Sequence, residues 1–368
     1  MAAERISANR GDLFEAFFAA AVAARFVKRA KNRTVKKLPS ITASDVDKIL
    51  TEMMKKGYTK NVNDVGSAVV DNVTVNVSIP RKATDFLQVR SNWSKVSDLR
   101  TGAVNFANNH SRLNAQARGL SINAQQDIIR VIAAGTEDQK GTKADVKIQI
   151  QSPQNPDRRF RNIDYSLKVS GGEQFHQVSG QGFDRFLNIF GEMGINVSPV
   201  AKKYNAAIND FFDTEVYTRK YPSRSAAEKT GGGPKLKSSA QIVYAYAARQ
   251  MKEALEDPEP NASKQKFADY IIFGLSRNVN TELVKFVGKG IVKTRVANRE
   301  FRDVLVNSTY SVSVNASGDP KIIISLGSKK LLQIRYKLEV ASGRSGGQKV
   351  YRFYPRHYLE ALEGMFTI

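Results

Sequence analysis

Between Gly11 and about Val27, Leu13, Phe14, Phe17, Phe18, Val22 and Phe26 recur at helical spacing among alanines. A helix this apolar needs a core to cover it, so an extended polybasic tail is excluded as a description of the chain. At 368 residues, with 41% hydrophobic and 9% aromatic, the chain is long enough to build that core across two domains. One residue on the stripe is out of place. Glu15 lies in line with Phe18, Ala19, Val22 and Phe26, and a buried, unpaired carboxylate is costly, so it requires a metal, Lys168 or an arginine as partner. Asp12 sits one turn earlier.

Lysine and arginine number 57 against 35 aspartates and glutamates, a formal charge of +22 that favours a polyanionic partner. The excess is concentrated in three places. Arg25, Lys28, Arg29, Lys31, Arg33, Lys36 and Lys37 follow one another with no acid between them. Arg219, Lys220, Arg224, Lys229, Lys235 and Lys237 line a stretch containing Gly and Ser. From Ser328 to Arg356 eight basic residues face one acid, Glu339, and are interleaved with Tyr336, Tyr351, Phe353 and Tyr354. One such run reads equally well as a solvated face; three in a chain of this charge point to nucleic acid gripped through its phosphates.

The lack of Cys excludes disulfides, a zinc ribbon, an iron–sulfur cluster and a thiol nucleophile. Three well-separated histidines, His110, His176 and His357, leave little for a His-based zinc site or a Ser–His–Asp triad. No apolar run approaches the roughly 18–20 residues that cross a bilayer, and the first residues lack the pattern of a signal peptide. The expectation is a soluble, cytoplasmic protein with no membrane partner.

Along the chain, Ser44 reads as the N-cap of a second helix over Asp45–Lys56. The alternating VVDNVTVNVSI of residues 69–79 reads as one strand stopped by Pro80. Helix fills Thr84 to Ala134, with breaks near Gly102 and Gly119. Strands follow at 144–150 and 163–169, then a helix with Phe183, Phe186, Leu187 and Phe190 on one stripe. Residues 221–240, with Gly231, Gly232, Gly233 and Pro234, read as a mobile loop. Helices over 239–255 and 263–275 are separated by Asp257-Pro258-Glu259-Pro260. Antiparallel strands close the chain, with turns at Ser317-Gly318-Asp319 and Gly346-Gly347. The lone Trp93 is expected in the core, and neither the triglycine nor Phe286–Gly290 has the spacing of a phosphate-binding loop. The order implies a mixed α/β (α+β) protein.

The stretch that suggests chemistry is GTKADVKIQIQ, a polar loop, then NIDYSLKVSGGEQFHQVSG. Alternation puts Asp145 and Lys147 on one face of the first strand, and Asp164, Ser166 and Lys168 on one face of the second. If the strands are neighbours, a carboxylate, a hydroxyl and an amine converge, which is what metal-assisted phosphodiester hydrolysis needs. An aspartate at the start of one strand, followed about twenty residues later by Ser166-Leu167-Lys168 on the next, resembles the PD-(D/E)xK nuclease superfamily. The resemblance covers at most about Gly11 to Phe190 and is strongest from Gly141 to Gly180.

It implies a restriction-endonuclease-like core, a mixed sheet flanked by helices, and Mg²⁺-dependent cleavage of DNA with Mn²⁺ able to substitute. Asp145 would be the first metal-binding acid and Lys168 the lysine beside the attacking water. Two positions depart from the pattern. Ala144 stands for the motif's proline, and Ser166 stands where the second acid would be, so another carboxylate must serve. Asp164 and Glu15 are the candidates, and the family's habit of drawing an acid from an early helix suits Glu15.

The division implied is a nuclease core over 1–200, with a helical insertion at about 84–134, and a helical then β-rich basic region over 201–368 that grips DNA. Asp145, Glu15 and Asp164 would bind metal, Ser166 would assist and Lys168 would act on the nucleophilic water. Gln174, His176, Gln177, Arg219, Lys220, Lys235, Arg335, Lys337 and Arg352 would contact nucleic acid, double-stranded DNA in the first instance. Cutting two strands at once would call for a homodimer. The competing reading is a non-catalytic DNA- or RNA-binding protein, packaging or architectural, that uses the same basic faces.

Overall fold

The computed structural model describes residues 10–32, 34–55, 68–120, 122–133, 146–151, 163–169, 173–178, 188–196, 219–230, 233–275, 281–296, 299–315 and 317–366. The first half is built on α1 (Arg10–Lys31), which is buried at every position from Asp12 to Val27. In chain order there follow α2 (Ala43–Lys55), β1 (Ala68–Val70), β2 (Val73–Ser78), α3 (Arg81–Leu87), α4 (Ser97–Asn109), α5 (Ser111–Gly119), β3 (Ile128–Ala133), β4 (Val146–Gln151) and β5 (Ile163–Val169). Next come β6 (Glu173–Val178), α6 (Arg224–Thr230), α7 (Gly233–Leu255), α8 (Ala262–Leu275), β7 (Thr281–Gly288) and β8 (Ile291–Val296). The chain ends with α9 (Arg299–Val306), β9 (Tyr310–Asn315), β10 (Lys321–Leu326), β11 (Lys329–Ser345) and β12 (Gln348–Ala361). Two compact units result, Met1–Gly171 with Leu275–Ala297, and Gly172–Gly274 with Asn298–Ile368. No helix among the described residues is long and apolar enough to cross a membrane.

The first unit carries a seven-stranded mixed sheet, ordered β1-β2-β3-β4-β5-β7-β8. The β2–β3 and β5–β7 pairs are parallel, and the others antiparallel. α1 packs on β2, β3 and β5 and also on α2 and α4, which is why almost its whole circumference is apolar. Phe14, Phe17, Phe18 and Phe26 are fully buried, each contributing about 1.5–3 kcal/mol. Trp93 joins this core, edge-on to Phe17, with its indole N–H donating to the Leu87 carbonyl at 2.7 Å.

Several local expectations are corrected. The cap of α2 is Thr42 rather than Ser44: the Thr42 hydroxyl accepts from the Asp45 N–H, and the Asp45 carboxylate accepts from the Thr42 N–H at 2.8 Å, a reciprocal box. Residues 69–79 are not one strand. Asp71 and Asn72 take φ of 51° and 63°, and this pair of left-handed residues folds the run into the β1–β2 hairpin, with Val70 opposite Val73. Gly102 does not break α4; a Cβ there would lie 2.7 Å from the Phe286 ring, so glycine is needed for close approach. The last part of the expected helical insertion is the strand β3, buried at alternate positions. Phe286–Gly290 leads into the β7–β8 turn, where Lys289 has φ 50°.

The first basic run is also partly structural. Buried Arg25 donates to the Asn114 side chain and the Pro39 carbonyl, both at 2.6 Å, and its pKa is lowered by burial and then by Arg118. Lys28 pairs with Asp45 at 2.9 Å and Lys31 with Asp71 at 3.5 Å. Lys36 and Lys37 remain exposed.

The second unit carries a five-stranded antiparallel sheet, ordered β6-β12-β11-β10-β9. α7 lies on β9 and β10, burying Val243, Tyr244 and Met251 beside Ile322, Ile324, Leu332 and Ile334. The expected loop over 221–240 holds α6 and the start of α7, and the expected approach to a helix at Gln174–Gln177 is β6. Phe183, Phe186, Leu187, Gly231 and Gly232 lie outside the described residues. Gly346 and Gly347, at φ 56° and 79°, close the β11–β12 hairpin at the expected place.

Candidate functional site

β5 carries the residues that the sequence singles out, and its neighbours decide which of them meet. β4 pairs with it antiparallel, Val146 opposite Tyr165 and Lys147 opposite Asp164. On the other edge β7 runs parallel, with Glu282 opposite Tyr165, Leu283 opposite Ser166 and Lys285 opposite Lys168. Strand alternation therefore puts Asp164, Ser166 and Lys168 on one face, together with Lys147, Lys285 and, on β8, Lys293. Tyr165 belongs to the opposite face, against α1 and α4, where Phe18 and Phe106 meet it edge-on at 5.2 and 5.6 Å.

Ser166 is only 3% exposed, so its hydroxyl belongs to an enclosed site. Asp145 directly precedes Val146 in the chain and lies outside the described residues. Glu15, 9% exposed, is held with Asp12 on α1, the helix packed on the Tyr165 side of the sheet. The amines of the Ser166 face suit a phosphate. Its carboxylate and hydroxyl are hard oxygen donors that fit Mg²⁺, which often binds through one or two carboxylates and water. Among the described residues no three His, Asp or Glu converge as a metal site, so a Mg²⁺ on this face would rest on Asp164 with Asp145.

Behind β5 lies a polar cluster that the sequence reading missed. Glu282 is 1% exposed on β7, and the His110 Nε2 stands 2.7 Å from its carboxylate, with Arg112 at 3.7 Å. The His110 Nδ1 accepts from the Leu113 N–H at 3.1 Å and caps α5, which leaves the proton on Nε2 to donate to Glu282. Phe106 stacks on the imidazole at 4.4 Å. Burial pushes the Tyr165 hydroxyl well above its ordinary pKa, and the Glu282 charge adds to this against the opposing effect of Arg112. The signal in the sequence was a glutamate at an apolar position of the alternating TELVKFVG.

In the second unit, Gln177 is opposite Tyr358, His176 opposite Leu359 and Gln174 opposite Glu360, three buried residues of β12. Arg335 donates to Glu360 at 2.8 Å and lies over the Tyr358 ring at 4.9 Å. Lys337 and Arg356 share Glu339, at 3.0 and 2.8 Å, and the Tyr358 hydroxyl donates to it at 2.6 Å. Burial raises the Glu339 pKa, but Tyr358, Lys337 and Arg356 together bring it below the usual range; Tyr358 is pushed up to about 12 by burial and by Glu339. Arg335 and Lys337 are thus already paired within the protein, whereas Arg352 has no ion pair among the described residues. Arg219 lies over the Tyr221 ring, Lys220 bonds to Ser345, and Lys235 is in α7. His357 is buried and bonded through Nδ1 to the Tyr244 hydroxyl at 2.9 Å.

Comparison with protein-family models, with curated proteins and with solved structures finds no match to this chain.

Proposed function

We propose that this protein is a Mg²⁺-dependent DNA endonuclease acting at the Ser166–Lys168 face of the mixed sheet. The observation that carries the reading is the pairing of β4 with β5. It brings the strand that begins immediately after Asp145 alongside the strand bearing Asp164, Ser166 and Lys168 on one face. Asp145 and Asp164 would hold the ion, and Mn²⁺ would substitute; Glu15, the other acid expected there, sits on α1 on the Tyr165 side of the sheet, so the sheet separates it from this face. When bound, such an ion polarises the phosphodiester and lowers the pKa of water. Lys168 orients the attacking water or takes its proton, and Lys147 and Lys285 neutralise the phosphate on the same face. Cutting both strands at once calls for a second copy of the chain.

The lysines also favour a second reading, a non-catalytic DNA- or RNA-binding protein, since Lys147, Lys168, Lys285 and Lys293 hold register positions on one face of the sheet. Plasmid incubated with protein and Mg²⁺, then with EDTA, separates the two. Nicking or linearisation with Mg²⁺ alone supports the nuclease, and a gel shift without strand breaks supports the binder. Lys168→Ala should abolish cleavage and leave DNA binding largely intact; full activity in that variant removes Lys168 from the mechanism.

A further inference from the structure

The β11–β12 hairpin runs far beyond the sheet that roots it. β10 covers β11 only as far as Arg335, and β6 covers β12 only from His357 onward. Tyr336 still donates its N–H to the Pro320 carbonyl, but from Lys337 to Ser345 and back from Gln348 to Arg356 the two strands pair, among the described residues, only with each other, apart from the Tyr221–Tyr351 bridge. At about 3.3 Å per residue this is a ribbon roughly 30 Å long. It is not a loose arm. Tyr221 and Tyr351 exchange backbone hydrogen bonds at 2.9 Å, Tyr221 stands edge-on to Phe353 at 5.7 Å, and Ala227 of α6 completes a small core against one ribbon face. Arg224 donates to the Val340 carbonyl at 2.9 Å, and Lys220 reaches Ser345 at 2.8 Å.

The far end is slender and cationic. Ala341, Ser342, Gly343, Ser345, Gly346 and Gly347 leave it without bulk, while Arg344 and Lys349 project from it exposed. Arg344, Lys349 and Arg352 make no ion pair among the described residues, and the one acid of the ribbon, Glu339, is held by Lys337 and Arg356. Stacking of unpaired bases needs an open aromatic face. Among the described side chains of the ribbon Tyr336 and Phe353 are buried and Tyr351 is half-buried with Lys349 over its ring at 5.5 Å, so they present no fully open ring.

We propose that this ribbon enters the major groove of B-form DNA, with Arg344, Lys349 and Arg352 on the phosphates and base edges of its walls. The major groove of B-DNA, about 12 Å wide, admits a two-stranded ribbon, and its minor groove, about 6 Å wide, does not. A-form RNA closes its major groove to side chains, so the ribbon selects duplex DNA over duplex RNA. Because the hairpin is already supported by Tyr221 and Phe353, little ordering is required on binding. The inference rests on DNA being the partner, and it is independent of whether the DNA is cut.

The test is fluorescence anisotropy with the full chain in EDTA, so that no cleavage intervenes. The probes are a labelled DNA duplex, the RNA duplex of the same sequence, and a DNA duplex whose major groove carries glucosylated hydroxymethylcytosine. Wild type should prefer plain duplex DNA, lose affinity on glucosylation and resist competition by the minor-groove ligand netropsin. The triple substitution Arg344→Ser, Lys349→Ser, Arg352→Ser should weaken duplex binding roughly tenfold or more and lower the salt slope by up to about 2.7, at about 0.9 per phosphate contact. Lys349→Glu alone, at an exposed site, should act in the same direction with unchanged circular dichroism. Equal binding of duplex RNA, displacement by netropsin, or undiminished affinity in both variants overturns the ribbon assignment while leaving the nuclease proposal standing. Failure of wild type to bind any nucleic acid overturns both, and cleavage lost only in Lys168→Ala bears on the nuclease alone.

Discussion

The Glu282–His110 contact can be taken apart quantitatively. Glu282→Ala leaves the His110 Nε2–H and the Arg112 guanidinium facing a vacated, buried position. Breaking a buried, charge-assisted pair by removing one partner costs about 3–5 kcal/mol. His110→Ala loses a hydrogen bond to a charged group, about 1.5–3 kcal/mol, and the α5 cap, about 1 kcal/mol. Glu282→Gln keeps an acceptor for Nε2–H and should lose only the difference between charged and neutral hydrogen bonds, about 1–1.5 kcal/mol. The double variant should fall short of additivity by about 1.5–3 kcal/mol. Urea unfolding of wild type and the four variants measures this, with the midpoint moving at constant slope in the transition of the first unit. Glu282→Ala and His110→Ala effects that add to within about 0.5 kcal/mol would refute the pairing as the anchor of α4 and α5 on β7.

Three further outcomes are expected. Gly102→Ala gains about 1 kcal/mol of helix propensity but drives a methyl into Phe286, itself wedged against Phe14 at 5.4 Å. With overpacking at about 1–3 kcal/mol, thermal melting should show a net loss, and a more stable variant would mean that the ring yields. Asn72→Val should cost about 1–2 kcal/mol because its φ of 63° is left-handed, while Asn72→Gly should be neutral or stabilising; equal midpoints for the two would remove the turn as a determinant of the hairpin. Burial lowers the His357 pKa from 6.5 to about 3, so the unfolded chain takes up a proton that the folded one refuses. Stability of the second unit is therefore full above pH 6.5 and falls between 6.5 and 3, by up to about 1.4 kcal/mol per pH unit. His357→Phe should flatten that part of the denaturation-versus-pH curve, and an unchanged slope would contradict the burial.

Much of the local structure was legible because periodicity is a local property. The Phe–Ala stripe marks α1, alternation marks β5 and β9, and the double glycine marks the ribbon turn. Where the chain's local pattern was compatible with two outcomes, packing chose. Residues 69–79 keep their alternation whether continuous or folded at Asp71-Asn72. Gly102 breaks a helix in isolation yet is the residue that lets α4 touch Phe286. The helix-rich run to Ala134 ends in β3 because a parallel partner, β2, is waiting for it.

From its sequence alone this chain carries a buried first helix, a cationic surplus and an SxK strand, since each depends only on which residues follow one another. The tertiary structure decides what those features mean together. It lays β4 and β7 on either side of β5, spends Arg25, Arg335 and Lys337 on internal partners, and leaves Arg344, Lys349 and Arg352 without an ion pair among the described residues. It also brings His110 to Glu282 across 172 positions of sequence. The physical reason is that the energy of a charge is set by what stands within a few ångströms of it, and neighbours in space are chosen by the whole fold rather than by spacing along the chain.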